Sequence, residues 1–198
     1  VASFLIIPII ILNHFKKSFL KIKMNVSNLG FYIGKTSNKN VAIYSFNIKK
    51  IDEIETLDIF NPLSIYWIMR EQEGNPREEL TTLEKTMAYG YDLEQSTDSD
   101  TIVIKIKALP SEKIYIKSIN SRYKCVIQIP KNGKIKEYYL KKIMLHNSSS
   151  FNYSVDQFDI IYEDPNTGKL HTDIRKKPLT GWDTNPDLSE LVISNQNN

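Results

Sequence analysis

Asn61-Pro62-Leu63-Ser64-Ile65-Tyr66-Trp67-Ile68-Met69-Arg70, followed by Glu71-Gln72-Glu73-Gly74-Asn75-Pro76, is the stretch from which the fold is read. Pro62 fixes its own φ and pushes Asn61 towards an extended conformation. Leu63, Ile65, Trp67 and Met69 then alternate with Ser64, Tyr66, Ile68 and Arg70. Apolar and aromatic residues fall on both phases, which predicts a strand buried on both faces. Glu73-Gly74 ends it. Asn75 reads as an N-cap, with Pro76 at N1 and Glu78 at N3, and Leu80, Leu83 and Met87 follow as one apolar stripe of a short helix. Gly90 reads as its left-handed exit.

Outward from this centre the grammar is β. Phe31–Gly34 and Val41–Ile48 read as a hairpin across a polar loop, residues 35–40. Ile51–Phe60 is acidic and reads as a loop with a helical turn. Tyr89–Gln95 reads as a strand before the turn-rich break Ser96–Asp100. From Thr101, isoleucines alternate with lysines, a Pro110-Ser111 link leads to Ile114 and Ile116, and Tyr123–Ile129 follows. Asn132-Gly133 is a strong hairpin signal, because both residues take positive φ readily. Lys134–His146 is long, and its apolar phase shifts between Tyr138 and Leu140, which predicts a bulge there. Residues 148–155 read as a loop. Phe158, Ile160 and Tyr162 pair across a turn at Asp164–Gly168 with Leu170, Thr172 and Ile174. The expected fold is mainly β: an antiparallel β-barrel or sandwich of about nine or ten strands with one short helix. Residues 24–180 form the single β-rich domain, 1–23 a leader or translated upstream sequence outside the fold, and 181–198 a polar, disordered tail.

Phe31-Tyr32-Ile33, Asn38-Lys39-Asn40-Val41-Ala42-Ile43-Tyr44, Asn61-Pro62 with Tyr66-Trp67-Ile68, Glu73-Gly74, Leu80, Glu84 and Ala88-Tyr89-Gly90 form an ordered set. With the later Tyr162-Glu163-Asp164-Pro165-Asn166-Thr167-Gly168-Lys169, this set resembles the domain of unknown function 4833 family. The resemblance covers roughly Leu29 to Pro178, a span that accommodates one whole domain. It implies a domain and assigns no activity, cofactor or site residue.

Charge is strongly segregated. Val1–Ile51 holds eight Lys and no acid, residues 52–100 three bases against thirteen acids, and residues 101–142 eleven bases against two acids. Opposed blocks of this kind neutralise each other when they lie side by side. The one cysteine, Cys125, excludes an internal disulfide, suits a reducing, cytoplasmic setting and reads as a buried structural thiol. No CxxC pair or Cys/His cluster offers zinc-ligand spacing, and no Gly-rich phosphate loop is present, so no metal or cofactor is expected. The apolar run Val1–Leu12 is too short to span a bilayer, and its lysines follow it rather than precede it, so a membrane partner arises only if residues 1–23 are expressed as an anchor.

Three functions fit. The first is a non-catalytic binding or interaction module, taking a small apolar ligand or a protein partner beside the helix, with Tyr66, Trp67, Tyr89 and Tyr91 as lining. The second is nucleic-acid or anionic-surface binding by the sheet face of residues 101–142, through Lys105, Lys107, Tyr115 and Lys117. The third is hydrolysis at the cluster His146, His171, Asp173 and Glu163. His171 and Asp173, two apart on a strand, share a face.

Overall fold

The computed structural model describes residues 28–51, 54–94, 101–146 and 157–176. The expectations for residues 1–23, 96–100, 148–155 and 181–198 fall outside these. The chain is mainly β, with a large mixed sheet and, among the described residues, one short helix. The first hairpin is β1 (Leu29–Lys35) and β2 (Val41–Phe46). Next comes a separate hairpin, β3 (Ile48–Ile51) with β4 (Ile54–Leu57), where the sequence suggested a loop with a helical turn. Its acidic residues mark a solvated surface, which a hairpin satisfies as well as a loop. Lys50 pairs with Glu55 across the strands, and Lys49 reaches Asp58 at 2.7 Å.

The central strand is β5 (Leu63–Ile68), flanked by β2 and by the short β6 (Arg77–Glu79). The helix therefore starts later than Asn75. Asn75 lies in a turn with φ 48°, and Arg77–Glu79 are extended against β5. The N-cap is Thr81, and α1 (Thr82–Glu84) runs into a π-helical turn, Lys85–Tyr89. Leu80 is buried, but Leu83 and Met87 are exposed, so the anticipated stripe faces solvent. Gly90 leaves with φ −64°, not left-handed. Glycine is needed there for space: a Cβ would lie 1.9 Å from the Lys85 carbonyl oxygen, to which the Gly90 N–H donates.

The remaining strands are β7 (Tyr91–Glu94), β8 (Thr101–Ile106), β9 (Leu109–Ile119), β10 (Arg122–Lys131), β11 (Lys134–His146), β12 (Gln157–Glu163) and β13 (Leu170–Lys176). The link before β9 is Lys107-Ala108, and Pro110 sits near the start of the strand, where proline is tolerated. Asn132 and Gly133 take φ 53° and 70° between β10 and β11, as a tight hairpin demands. The irregularity in β11 falls between Leu140 and Lys142, slightly beyond the expected position.

β11 organises the sheet. One of its edges pairs with β10 through Lys134–Tyr139 and with β1 through Tyr32↔Lys142 to Lys35↔Leu145, while the other edge carries β12 and then β13. The β1 pairing is parallel, a departure from the all-antiparallel expectation. Two leaves fork from β11: β1-β2-β5-β6 and β10-β9-β8-β7. Their inward residues, including Phe31, Tyr44, Leu63, Ile104, Ile114, Ile116, Cys125 and Ile127, join residues of β11 and β12 in one core. Cys125 is buried there, and desolvation pushes its thiol pKa up. Among the described residues no closed barrel forms: β6, β7 and β13 each end the pairing.

Candidate functional site

The two leaves approach each other again at the helix. The Tyr44 hydroxyl donates to the Tyr89 carbonyl at 2.6 Å, Lys107 N–H to the Gly90 carbonyl, and Ala108 N–H to the Ala88 carbonyl. Trp67 donates from Nε1 to Glu84 at 3.1 Å. Glu84 also closes the capping box with Thr81, so one carboxylate fixes both the helix start and its seat on β5. Tyr91 bridges the gap: its hydroxyl accepts the Leu63 N–H at 3.1 Å and lies within donating distance of the Leu63 carbonyl, at 2.9 Å, and of the Asn61 side-chain oxygen, at 3.0 Å.

Alongside this bridge runs an open groove of about 780 Å³, bounded by Leu63, Ser64 and Ile65 of β5, Tyr91 to Leu93 of β7, and Lys85 and Thr86 of the helix. Phe60, exposed to 84%, stands at its rim. Both bounding strands offer unpaired backbone. β6 pairs with β5 only along Tyr66–Ile68, and nothing pairs with the outer edge of β7 among the described residues. Leu63 turns its N–H and carbonyl towards Tyr91, away from β2, so Ile65, two residues on, points its own the same way. Lys107 bonds Gly90 from β8, so Asp92 continues that ladder and the backbone groups of Tyr91 and Leu93 face outward.

The four aromatic candidates divide. Trp67 and Tyr89 meet edge to face at 4.8 Å, and the ammonium of Lys35 lies 5.5 Å above the Tyr89 ring. Burial lowers the Lys35 pKa, and Glu84 partly opposes this. Burial raises that of Tyr89, whose hydroxyl has no hydrogen-bond partner among the described residues. Tyr91 lines the groove. Tyr66 lies on the opposite face of β5, in a cluster with Val41, Ile43 and Ile68 and beneath the guanidinium of Arg77, 3.8 Å from its ring.

On the 101–142 face the three candidate lysines, and Lys113 with them, are ion-paired. Lys105 and Lys113 both hold Glu94, at 2.5 and 2.9 Å; Lys107 holds Asp92 at 2.5 Å and Lys117 holds Glu137 at 2.7 Å. Tyr115 lies between Val103 and Val126, with Lys117 6.0 Å from its ring. The acidic and basic blocks of the sequence thus meet between β7 and β8. The third cluster separates into pairs. His146 lies 2.8 Å from Asp159, Glu163 pairs with Lys141, and Asp173 pairs with Arg175 at 2.8 Å, while His171 stacks on Tyr162. Among the described residues no group of His, Cys, Asp or Glu is placed to hold a metal ion, and no helix is long and apolar enough to cross a membrane.

The groove-facing backbone of Ile65 and Leu93 went unread in the sequence. Leu63's aromatic partner, Tyr91, lies 28 residues on and leaves no periodic signal, and an open edge depends on which strands are neighbours. No curated protein and no solved structure matches the chain. A family model does match, over residues 31–173, from β1 into β13 and across both leaves. With well over half of its length matched, the chain belongs to the family described as Domain of unknown function (DUF4833).

Proposed function

We propose that the protein is a non-catalytic interaction module that takes an extended segment of a partner polypeptide into the groove beside its helix. The observation that carries this is the pair of open strand edges, Ile65 on β5 and Tyr91 and Leu93 on β7, facing one groove. Unpaired edges are natural templates for an added strand, which gains affinity from main-chain hydrogen bonds and selectivity from alternate side chains. On this reading the leaves are the halves of a sandwich left unclosed between β5 and β7, and the incoming segment supplies the strand between them. The groove is open and lined by polar as well as apolar residues, which suits a peptide better than an enclosed apolar molecule. Arg77 pairs with Glu79 and Lys107 with Asp92, leaving Lys85 as the lining cation without a carboxylate among the described residues. An acidic residue in the segment complements it.

Panning a random peptide library against the protein tests this. Enriched peptides are expected to carry alternating apolar positions and an acid. Leu93→Pro, which removes the outward N–H at an edge where proline is tolerated, is expected to weaken them about tenfold or more with little change in melting temperature. Failure to enrich any peptide, or undiminished binding by a normally melting Leu93→Pro protein, overturns the proposal.

A further inference from the structure

On the outer face of the β1-β2-β5 leaf lies a second cavity, of about 290 Å³, lined by Tyr32, Gly34, Asn38, Asn40, Val41 and Met144 together with Lys35, Lys39, Arg70 and Lys142. Among the described residues no Asp or Glu lines it. Lys35 directs its ammonium to the Tyr89 ring, leaving Lys39, Arg70 and Lys142 as the cations at the cavity. None of these three has a carboxylate partner among the described residues, in contrast to the ion-paired lysines of β8 and β9. The Lys142 ammonium sits 5.6 Å from the Tyr32 ring, half-buried at the cavity wall.

The wall is built. Lys39 N–H donates to the Glu71 carboxylate and Glu71 N–H to the Asn40 side chain, each at 3.2 Å, so the loop after β1 and the turn after β5 are stitched together. The Asn38 carbonyl oxygen accepts the Asn40 N–H at 3.1 Å. These bonds engage the side-chain oxygens of both asparagines, leaving their amide N–H groups to donate elsewhere. Glu71 is held at the rim, its carboxylate accepting the Lys39 N–H, and its one negative charge leaves the three cations in excess. The floor is apolar: Tyr32 and Val41 border the cluster of Ile43, Tyr66 and Ile68, and Met144 lies against Gly34, where a Cβ would come within 2.8 Å of its sulfur.

We infer that this cavity binds a small organic phosphate, its anionic head held by Lys39, Arg70 and Lys142 and its apolar body resting on Tyr32, Val41 and Met144. Three cations without an ion-pair partner among the described residues, set against the one rim carboxylate of Glu71, leave an excess positive charge beside amide donors around one concavity and match a dianion, with Arg70 able to engage two oxygens at once. The volume lies at the lower end for small-molecule sites and excludes a polymer from entering whole. The site lies on a different face from the groove and does not rest on the peptide reading.

Calorimetric titration of the full chain with phenyl phosphate and with inorganic phosphate is the test. Saturable one-site binding is expected, tighter for phenyl phosphate because of the apolar floor. Arg70→Gln and Lys142→Gln are each expected to weaken it about tenfold, the loss of one charge-assisted contact. Gly34→Ala, which pushes the Met144 thioether into the cavity without removing charge, is expected to weaken it too. Lys117→Gln, at an ion pair on β9, leaves it unchanged. Absence of saturable binding, or equal weakening by Lys117→Gln with melting temperatures preserved, overturns the inference.

Discussion

Glu112 lies on β9 in phase with Ile114 and Ile116, so its carboxyl is turned to the inside of the leaf. There it meets Asp173 and Arg175. These follow the inward phase of β13, since they pair with Ile160 and Phe158, both core residues. Burial raises the Glu112 pKa above 4.5; Arg175 opposes the shift and Asp173 adds to it. Arg175 gives one arm to Asp173 at 2.8 Å, while its Nε, like the Ser111 hydroxyl, is buried without a partner among the described residues. A carboxyl with a raised folded pKa holds more protons folded than unfolded between 4.5 and the raised value, so stability falls as pH rises through that window. The cost is fully present above the window and gone below it. Glu112→Gln is therefore expected to melt a few degrees higher than the parent at neutral pH and to coincide with it near about pH 4. Thermal melts across that range decide it, and a variant less stable at neutral pH would show that the charged form is stabilised by Arg175. The sequence placed His171 and Asp173 correctly on one face. It missed that Arg175, another two residues on, shares that face and takes the carboxylate.

The helix shows how an element can be legible in kind and misplaced in position. Asn75-Pro76-Arg77-Glu78 and Thr81-Thr82-Leu83-Glu84 both present a cap residue followed three positions later by Glu. Local chemistry does not separate them. The choice is made by β5: Met69 N–H donates to the Pro76 carbonyl at 3.0 Å, and Arg77–Glu79 continue that ladder, which commits them to an extended backbone. The helix must then wait for Thr81. Thr81→Ala is expected to cost about 1 kcal/mol by denaturant unfolding, and Glu84→Ala more, because it also strands the Trp67 N–H. Equal stability of Thr81→Ala and the parent would remove the cap from the account. β1 and β8 to β12 were readable because one buried face imposes a period of two, and β2 and β5 because apolar and aromatic residues fill both phases of a short run. β3, β4 and β6 were not, being short and charged. The parallel β1–β11 pairing was not either, since partners more than a hundred residues apart leave no local pattern.

Across the whole molecule, β11 and the groove stand at opposite ends of one gradient of stability. Along Lys142–Leu145 the spine strand has β1 on one edge and β12 on the other, and Ile143 and Leu145 lie in the core. Its amides cannot reach solvent without separating the leaves. β7 has a partner on one side only, is four residues long and exposes Asp92 and Leu93. Amide exchange reads such differences as opening free energies, from nearly zero at frayed edges to the global value in the core. The amides of Ile143 and Leu145 are accordingly expected to exchange only with global unfolding, their rates following the denaturant dependence of the whole protein. Those of Ile65, Tyr91 and Leu93 are expected to exchange freely, because they point out of the ladder. Their neighbours Ser64 and Asp92, bonded inward, should be slower. This alternation is the physical condition for strand addition: a donor already locked to its own sheet has nothing to offer a partner. Protection of Leu93 to the level of Leu145 would mean that the edge is already occupied in the free chain, and the groove would lose its standing as a place for an incoming strand.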